Sequence, residues 1–224
     1  MTELVLAVNR DVLQTQRIGL GGVYPFELVD TKDYALVPRP FADAKTQASV
    51  ELGKRFAQIL SYVQVFNHVG KILAYQRKGK EGGLLGKWSV GIGGHVSQDD
   101  MARAIYSSGK PDYVPPLLEL IVLGTERELS EELGLQVDLG EDLESKRCHF
   151  RQILSSDEDI VSSVHVGLPF ELHLSKDHVA GLELDPSEFN NWEWMSIDDL
   201  KYCLTYSAGG KEFETWSRLL IEQM

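Results

Sequence analysis

The spacing of apolar and polar positions divides the chain into strand-like and helix-like stretches. Glu3 to Val8 reads as a short strand, and Tyr34 to Pro38 as another, closed by Pro38 and Pro40. Ala42 to Ile59 leans helical, with Val50, Phe56 and Ile59 apolar. Ser61 to Asn67 and Lys71 to Arg77 are rich in β-forming residues and flank His68-Val69-Gly70, which predicts a hairpin. Trp88 to Val96 returns to strand character around Gly91, Gly93 and Gly94, whereas Ser97 to Pro116 is polar and turn-rich. Leu117 to Leu133 is the strongest helix: Leu118, Ile121, Val122, Thr125, Leu129 and Leu133 recur at helical spacing, and Gly134 stops it. Arg147 to Leu154 and Val161 to Leu174 read as strands, with Pro169 arguing for an edge or a bulge in the second. Asn190 to Met195 is a further strand, and Ile197 to Tyr206 and Lys211 to Met224 are closing helices. Strands around a mid-chain helix predict an α/β fold, a mixed β-sheet sandwiched between helices. Residues 59–224 form the expected main domain, with an insertion at about 97–116. Residues 1–58 form an N-terminal extension packed on it.

The mid-chain helix carries the chemistry. With about 100° per residue and Leu118 at zero, Glu128, Glu131 and Glu132 fall at about 280°, 220° and 320°. The three carboxylates therefore share a strip beside the core-facing side, expected over the edge of the sheet. A solvated charged face would place Lys or Arg four residues after each Glu. Those positions hold Glu132, Leu135 and Gln136. Like charges at this spacing destabilise a helix by roughly 0.2–0.5 kcal/mol per pair, and carboxylates near a helix C-terminus oppose the dipole. A helix that accepts these costs is expected to receive a cation. Clustered oxygen ligands suit Mg²⁺, or Mn²⁺ in its place.

Composition narrows the partners. The 224 residues are 43% hydrophobic and 25% charged, which fits a folded globular chain. A formal net charge of −12 argues against nucleic acid and anionic membrane as partners. It does not argue against a phosphorylated small molecule, provided a metal ion supplies positive charge. Cys148 and Cys203 are too few for a zinc site and read as reduced thiols. No segment approaches the roughly 18–20 unbroken apolar residues of a membrane span. Met1 to Asn9 lacks the basic start and apolar length of a signal peptide, so a cytoplasmic location is expected.

Arg127-Glu128-Leu129-Ser130-Glu131-Glu132-Leu133-Gly134-Leu135 matches the second half of the Nudix box, G-x5-E-x7-R-E-U-x-E-E-x-G-U with U apolar. Glu119 stands eight residues before Arg127, as the pattern requires. Tyr113 stands where the box glycine would be. The counterpart is Gly94 in Gly93-Gly94-His95-Val96, displaced by roughly twenty residues. From Gln58 to Met224 the chain resembles the predicted phosphoesterase branch of the Nudix superfamily. That likeness includes Trp88 to Val96, Ser163 to Leu168, and Thr215 to Glu222.

The resemblance implies a pyrophosphohydrolase, cleaving a diphosphate linkage in a nucleoside diphosphate derivative or another organic pyrophosphate. It implies metal ligation by Glu128, Glu131, Glu132 and the Gly93 carbonyl. Glu128 would also serve as general base, and Arg127 would orient it. Glu119, at about 100° on the wheel, faces away from the other three. Candidates for substrate contact are Arg77, Lys78, His95 and His165, with Lys80 and Lys87 in the same basic stretch as Arg77. His165 shares a strand face with Glu171, a second acid/base pair, and Asp157-Glu158-Asp159 could supply a base from a loop. Trp88 reads as a core aromatic or a base-stacking platform. A Nudix-fold isoprenoid diphosphate isomerase, which needs a cysteine near its site, and a non-catalytic nucleotide-binding regulator are the alternatives. Oligomeric state, a homodimer included, stays open.

Overall fold

The computed structural model describes residues 3–19, 21–25, 34–39, 55–78, 84–110, 112–140, 148–150, 152–206 and 210–224. Its strands, in chain order, are β1 Leu4–Asn9, β2 Gly22–Pro25, β3 Tyr34–Pro38, β4 Phe56–Phe66, β5 Ile72–Arg77 and β6 Trp88–Ser89. They continue with β7 Ile92–His95, β8 Cys148–Phe150, β9 Gln152–Ser155, β10 His165–His173 and β11 Phe189–Met195. The helices are α1 Arg10–Thr15, α2 Gln98–Ser108, α3 Leu117–Leu133, α4 Ile160–Val164, α5 Lys176–Ala180, α6 Ile197–Tyr206 and α7 Thr215–Gln223. This is the α/β class, a mixed sheet with helices, as the sequence pattern predicts. Among the described residues no helix is long and apolar enough to cross a membrane. The chain divides into two compact units.

The first unit comprises Met1–Ser61, Gly93–Thr125 and Arg151–Leu168. Val5 to Val8 of β1 are fully buried, so both faces of this strand are covered and its sequence is continuously apolar. β1 runs antiparallel to β3, from Leu4↔Pro38 to Val8↔Tyr34, and to β4 at Ala7↔Gln58 and Asn9↔Phe56. Phe56 to Ile59 are therefore strand, not the helix their spacing predicts. The ladder to β1 is a non-local partner that local propensity does not register. The rest of that expected helix, through residue 54, lies outside the described residues except Arg55.

The stretch read as polar turns contains α2. Ser97 and Asp100 close a capping box, with Asp99 N donating to Ser97 Oγ (3.2 Å) and Ser97 N to Asp100 Oδ2 (2.8 Å). Gly109, at φ 65°, ends the helix in the left-handed conformation that glycine adopts most easily. Asp100 and Ala104 are buried, so this helix is packed and not a loop. Likewise Val161 is helical within α4, which Asp159 caps by accepting from Ser162 N and Oγ.

The second unit comprises Tyr62–Ile92, Glu126–Phe150 and Pro169–Met224. β5 pairs with β11, β6 and the end of β4, and β8 pairs with β10. The predicted hairpin turn is present: Gly70 has φ 78°, and Asn67 Oδ1 accepts from Val69 N and Lys71 N at 3.1 and 2.9 Å. Its core joins Phe66, Ile72, Trp88, Met195, Leu200 and Phe213. Trp88 is thus a core aromatic, 8% exposed, and is not placed as a stacking platform. Cys203 lies in the same core.

Candidate active site on the carboxylate helix

The final residues of α3 belong to the second unit, and their burial sets the site. Leu129 and Leu133 are fully buried, each contributing roughly 1.5–3 kcal/mol, and they fix which side faces the core. Ile121 and Thr125 are buried as the predicted stripe requires; Leu118 is 39% exposed, and Leu117 and Leu120 are buried in its place. The helix end is closed by backbone. Gly134 N donates to Ser130 O and Leu135 N to Leu129 O, while Asp185 N and Glu183 N take the carbonyls of Glu132 and Leu133. No basic residue occupies the last turn.

On this frame Arg127 Nη1 donates to Glu128 Oε1 (2.8 Å) and to Glu131 Oε2 (3.2 Å). The Glu128 side chain is 16% exposed and that of Glu131 61%. Glu128 is therefore shielded, while Glu131 stands further into solvent than a position over the sheet edge implies. Glu132 is half-buried, and its charge bears on Tyr75: burial is the main cause that raises the Tyr75 phenol, Arg77 opposes it, and Glu132 adds to it. Arg77 Nη1 donates to the Tyr75 hydroxyl at 3.2 Å. The second unit thus holds Arg127, Glu128 and Glu131 in one hydrogen-bonded group, and it sets Arg77 and Glu132 around one tyrosine. Lys78, exposed, donates through Nζ to Pro186 O, and Lys87 pairs with Glu212 at 3.5 Å. Lys80 lies outside the described residues.

The first unit holds the other candidates. Gly93 and His95 lie on β7 and His165 opens β10. His95 Nε2 and His165 Nε2 are 3.2 Å apart. One ring must offer a bare nitrogen to the other's N–H, so the bond holds at most one cationic ring. In the second unit Glu171 accepts from His173 (3.1 Å), an exposed pair. Glu119 accepts from the Tyr113 hydroxyl at 2.5 Å, and this bond raises the Tyr113 phenol above its ordinary value. The residue that replaces the box glycine thus binds the box's first carboxylate.

The donor set can be tested against a cation. Glu128, Glu131 and Glu132 supply only carboxylate oxygens, which is the chemistry a hard divalent ion requires. As the side chains stand, no group of three or more His, Cys, Asp or Glu is gathered for metal binding among the described residues. Arg127 holds two of the three carboxylates, so a cation would be taken by rotation of flexible side chains on a fixed helix. The residues fit such an ion by donor type.

Sequence comparison alone is silent: no protein-family model and no curated protein matches the chain. Solved structures do match. The crystal structure of Tm1382, presumed a Nudix hydrolase, is similar at TM-score 0.65 over 99% of this chain and 97% of that one, with 18% identity. The chain has the Nudix fold. A NUDIX hydrolase from Alicyclobacillus acidocaldarius is similar at TM-score 0.51, with 12% identity over 74% of this chain and 90% of that one. Two site neighbours are not among the sequence candidates, Tyr113, the partner of Glu119, and Tyr75, the partner of Arg77. The missing box glycine marks position 113 as different. Position 75 stands two residues before Arg77 on one strand, so the two share a face.

Proposed function

We propose that the protein is a metal-dependent pyrophosphohydrolase, acting on the diphosphate linkage of a nucleoside diphosphate derivative or another organic pyrophosphate. The observation that carries this reading is the Arg127 guanidinium bound to a shielded Glu128 and to Glu131, within a complete second half of the box, on a Nudix fold. Mg²⁺ or Mn²⁺, held by Glu128, Glu131 and Glu132, would neutralise phosphate charge and acidify a water. Glu128 takes the proton from the attacking water. Arg127 fixes its carboxylate by a charge-assisted hydrogen bond. Arg77 and Lys78 bind phosphate oxygens, which an acidic chain binds only where cations offset its charge. Roles for Gly93, His95, His165 and Glu119 are proposed from the motif and from their own unit's geometry. Cys203, buried in the core, offers no exposed thiol for an isomerase.

The test is a panel of nucleoside diphosphate derivatives, dinucleoside polyphosphates and nucleoside triphosphates with Mg²⁺, followed by phosphatase-coupled product detection. Cleavage of at least one diphosphate linkage, lost on exhaustive chelation and stronger at alkaline than at acid pH, is expected. Turnover that persists undiminished in chelator defeats the proposal.

A further inference from the structure

The Tyr75 hydroxyl occupies a buried junction that the proposed mechanism does not use. Its residue is 2% exposed, and its ring packs against Phe189 with centroids 4.4 Å apart. The hydroxyl donates to Gly91 O at 2.9 Å and accepts from Arg77 Nη1 at 3.2 Å. The direction of this chain is forced. A guanidinium only donates, a carbonyl only accepts, and the hydroxyl has one proton, so the proton goes to Gly91 and the lone pair faces Arg77.

The carbonyl end of the chain is held in place. Ser89 Oγ also donates to Gly91 O, at 3.0 Å. A Cβ on Gly91 would lie 2.0 Å from the Tyr62 ring, so only glycine fits here. Tyr62 is in turn bonded to Ser89, Glu214 and Ser217. A fixed carbonyl fixes the hydroxyl, and the hydroxyl presents one lone pair to Arg77. Arg77 and Glu132 act on this hydroxyl with opposite signs, Arg77 through the hydrogen bond as well.

We infer that Tyr75 is a positioning residue that orients Arg77 to bind a phosphate group of the substrate. This rests on the reading of Arg77 as a phosphate ligand. An arginine side chain loses much rotamer freedom when it binds, and a partner that restricts it beforehand reduces that loss. The effect belongs to binding: the proton transfers assigned to Glu128 do not pass through Tyr75.

The test is a double-mutant cycle of Tyr75→Phe and Arg77→Ala, read by calorimetric titration of inorganic pyrophosphate with Mg²⁺ into the full chain. Thermal melts accompany each variant. Tyr75→Phe keeps the ring against Phe189 and removes only the hydroxyl. It is expected to weaken binding by about 5–10-fold, the scale of one typical intramolecular hydrogen bond. Arg77→Ala is expected to weaken it at least as much, and the double variant no more than Arg77→Ala alone. With a cleaved substrate, Tyr75→Phe is expected to raise KM by the same factor and leave kcat within about twofold. Tyr75→Phe binding like wild type while Arg77→Ala binds weakly overturns this inference alone. Additive effects in the cycle, or equal losses in kcat and KM, do the same, because they assign Tyr75 a structural role independent of Arg77. Wild-type binding by Arg77→Ala, or absence of pyrophosphate binding by the wild type, overturns the phosphate reading of Arg77 and this inference with it.

Discussion

Two acidic sites in the second unit sit at opposite kinds of helix end. Glu214 precedes α7 as its N-cap, where the dipole favours a negative charge. Its carboxylate accepts from Trp216 N (2.8 Å), Ser217 N (2.9 Å), Ser217 Oγ (2.5 Å) and the Tyr62 hydroxyl. A charge buried to 6% exposure is tolerable because donors surround it. Glu128, Glu131 and Glu132 lie in the last turns of α3, where the dipole opposes them and no basic residue follows. Glu128 and Glu131 share the guanidinium of the residue before them. The contrast separates two uses of a carboxylate. Glu214 is surrounded by donors and stabilises the fold. Two of the α3 acids share one guanidinium, at the helix end where the dipole disfavours them.

The largest expected effect lies on the α3 side. Glu128→Gln keeps the side chain's shape and removes its basicity, so turnover with Mg²⁺ should fall about 10²–10⁴-fold, the range of a positioned general base. Steady-state kinetics on the best substrate of the panel measure it; retained turnover would make Glu128 a structural acid like Glu214. The mirror experiment is Glu214→Ala. It strips partners from two backbone N–H groups and two hydroxyls in a buried place, and a loss of about 2–4 kcal/mol is expected from urea unfolding. A loss under about 0.5 kcal/mol would erase the distinction between the two sites.

Alkaline pH sharpens the buried side. Burial first, then the charge and hydrogen bond of Glu214, hold the Tyr62 phenol well above its ordinary value of 10.0, and Tyr75 is raised as well, mainly by burial. A raised folded-state value means that the unfolded chain releases these protons first. The stabilisation is complete below about pH 10 and is lost as pH rises beyond it, by roughly 1 kcal/mol per pH unit for each group. Urea midpoints between pH 9 and 11 follow the loss, and Tyr62→Phe should flatten the slope. An unchanged slope in that variant would place the titration elsewhere.

Much of this was legible from local pattern. The bounds of α3 follow from periodicity and the Gly134 stop, those of α6 match the expected Ile197 to Tyr206, and the β4–β5 hairpin follows from β-rich runs flanking His68-Val69-Gly70. The shared bond of Glu128 and Glu131 to Arg127 joins positions one and four residues apart, which regular helix geometry brings within reach. α2 was misread although Ser97, Asp100 and Gly109 mark both its ends; its polar composition outweighed those signals. β4 was misread at Phe56 to Ile59 because its partner, β1, is about fifty residues away. The bonds His95–His165 and Tyr62–Glu214 join side chains that only the folded chain brings together. Sequence spacing carries no information about such pairs, whereas Tyr75 and Arg77 stand two apart on one strand and share a face by local geometry.

The smallest expected effect is also the most direct test of the central claim, that the α3 acids are placed for a cation. Wild type, Glu131→Gln and Glu132→Gln are melted in chelator, and again in Mg²⁺ with pyrophosphate. In chelator the account predicts variants equal to wild type or more stable by a few tenths of a kcal/mol, because each loses repulsion between like charges. Glu131→Gln should gain the less, since it gives up its bond to Arg127. With Mg²⁺ and pyrophosphate the wild type should rise by mass action and the variants should rise less. Variants that melt well below wild type in chelator would show these carboxylates to be partners in a satisfied network, as Glu214 is, and would contradict the account.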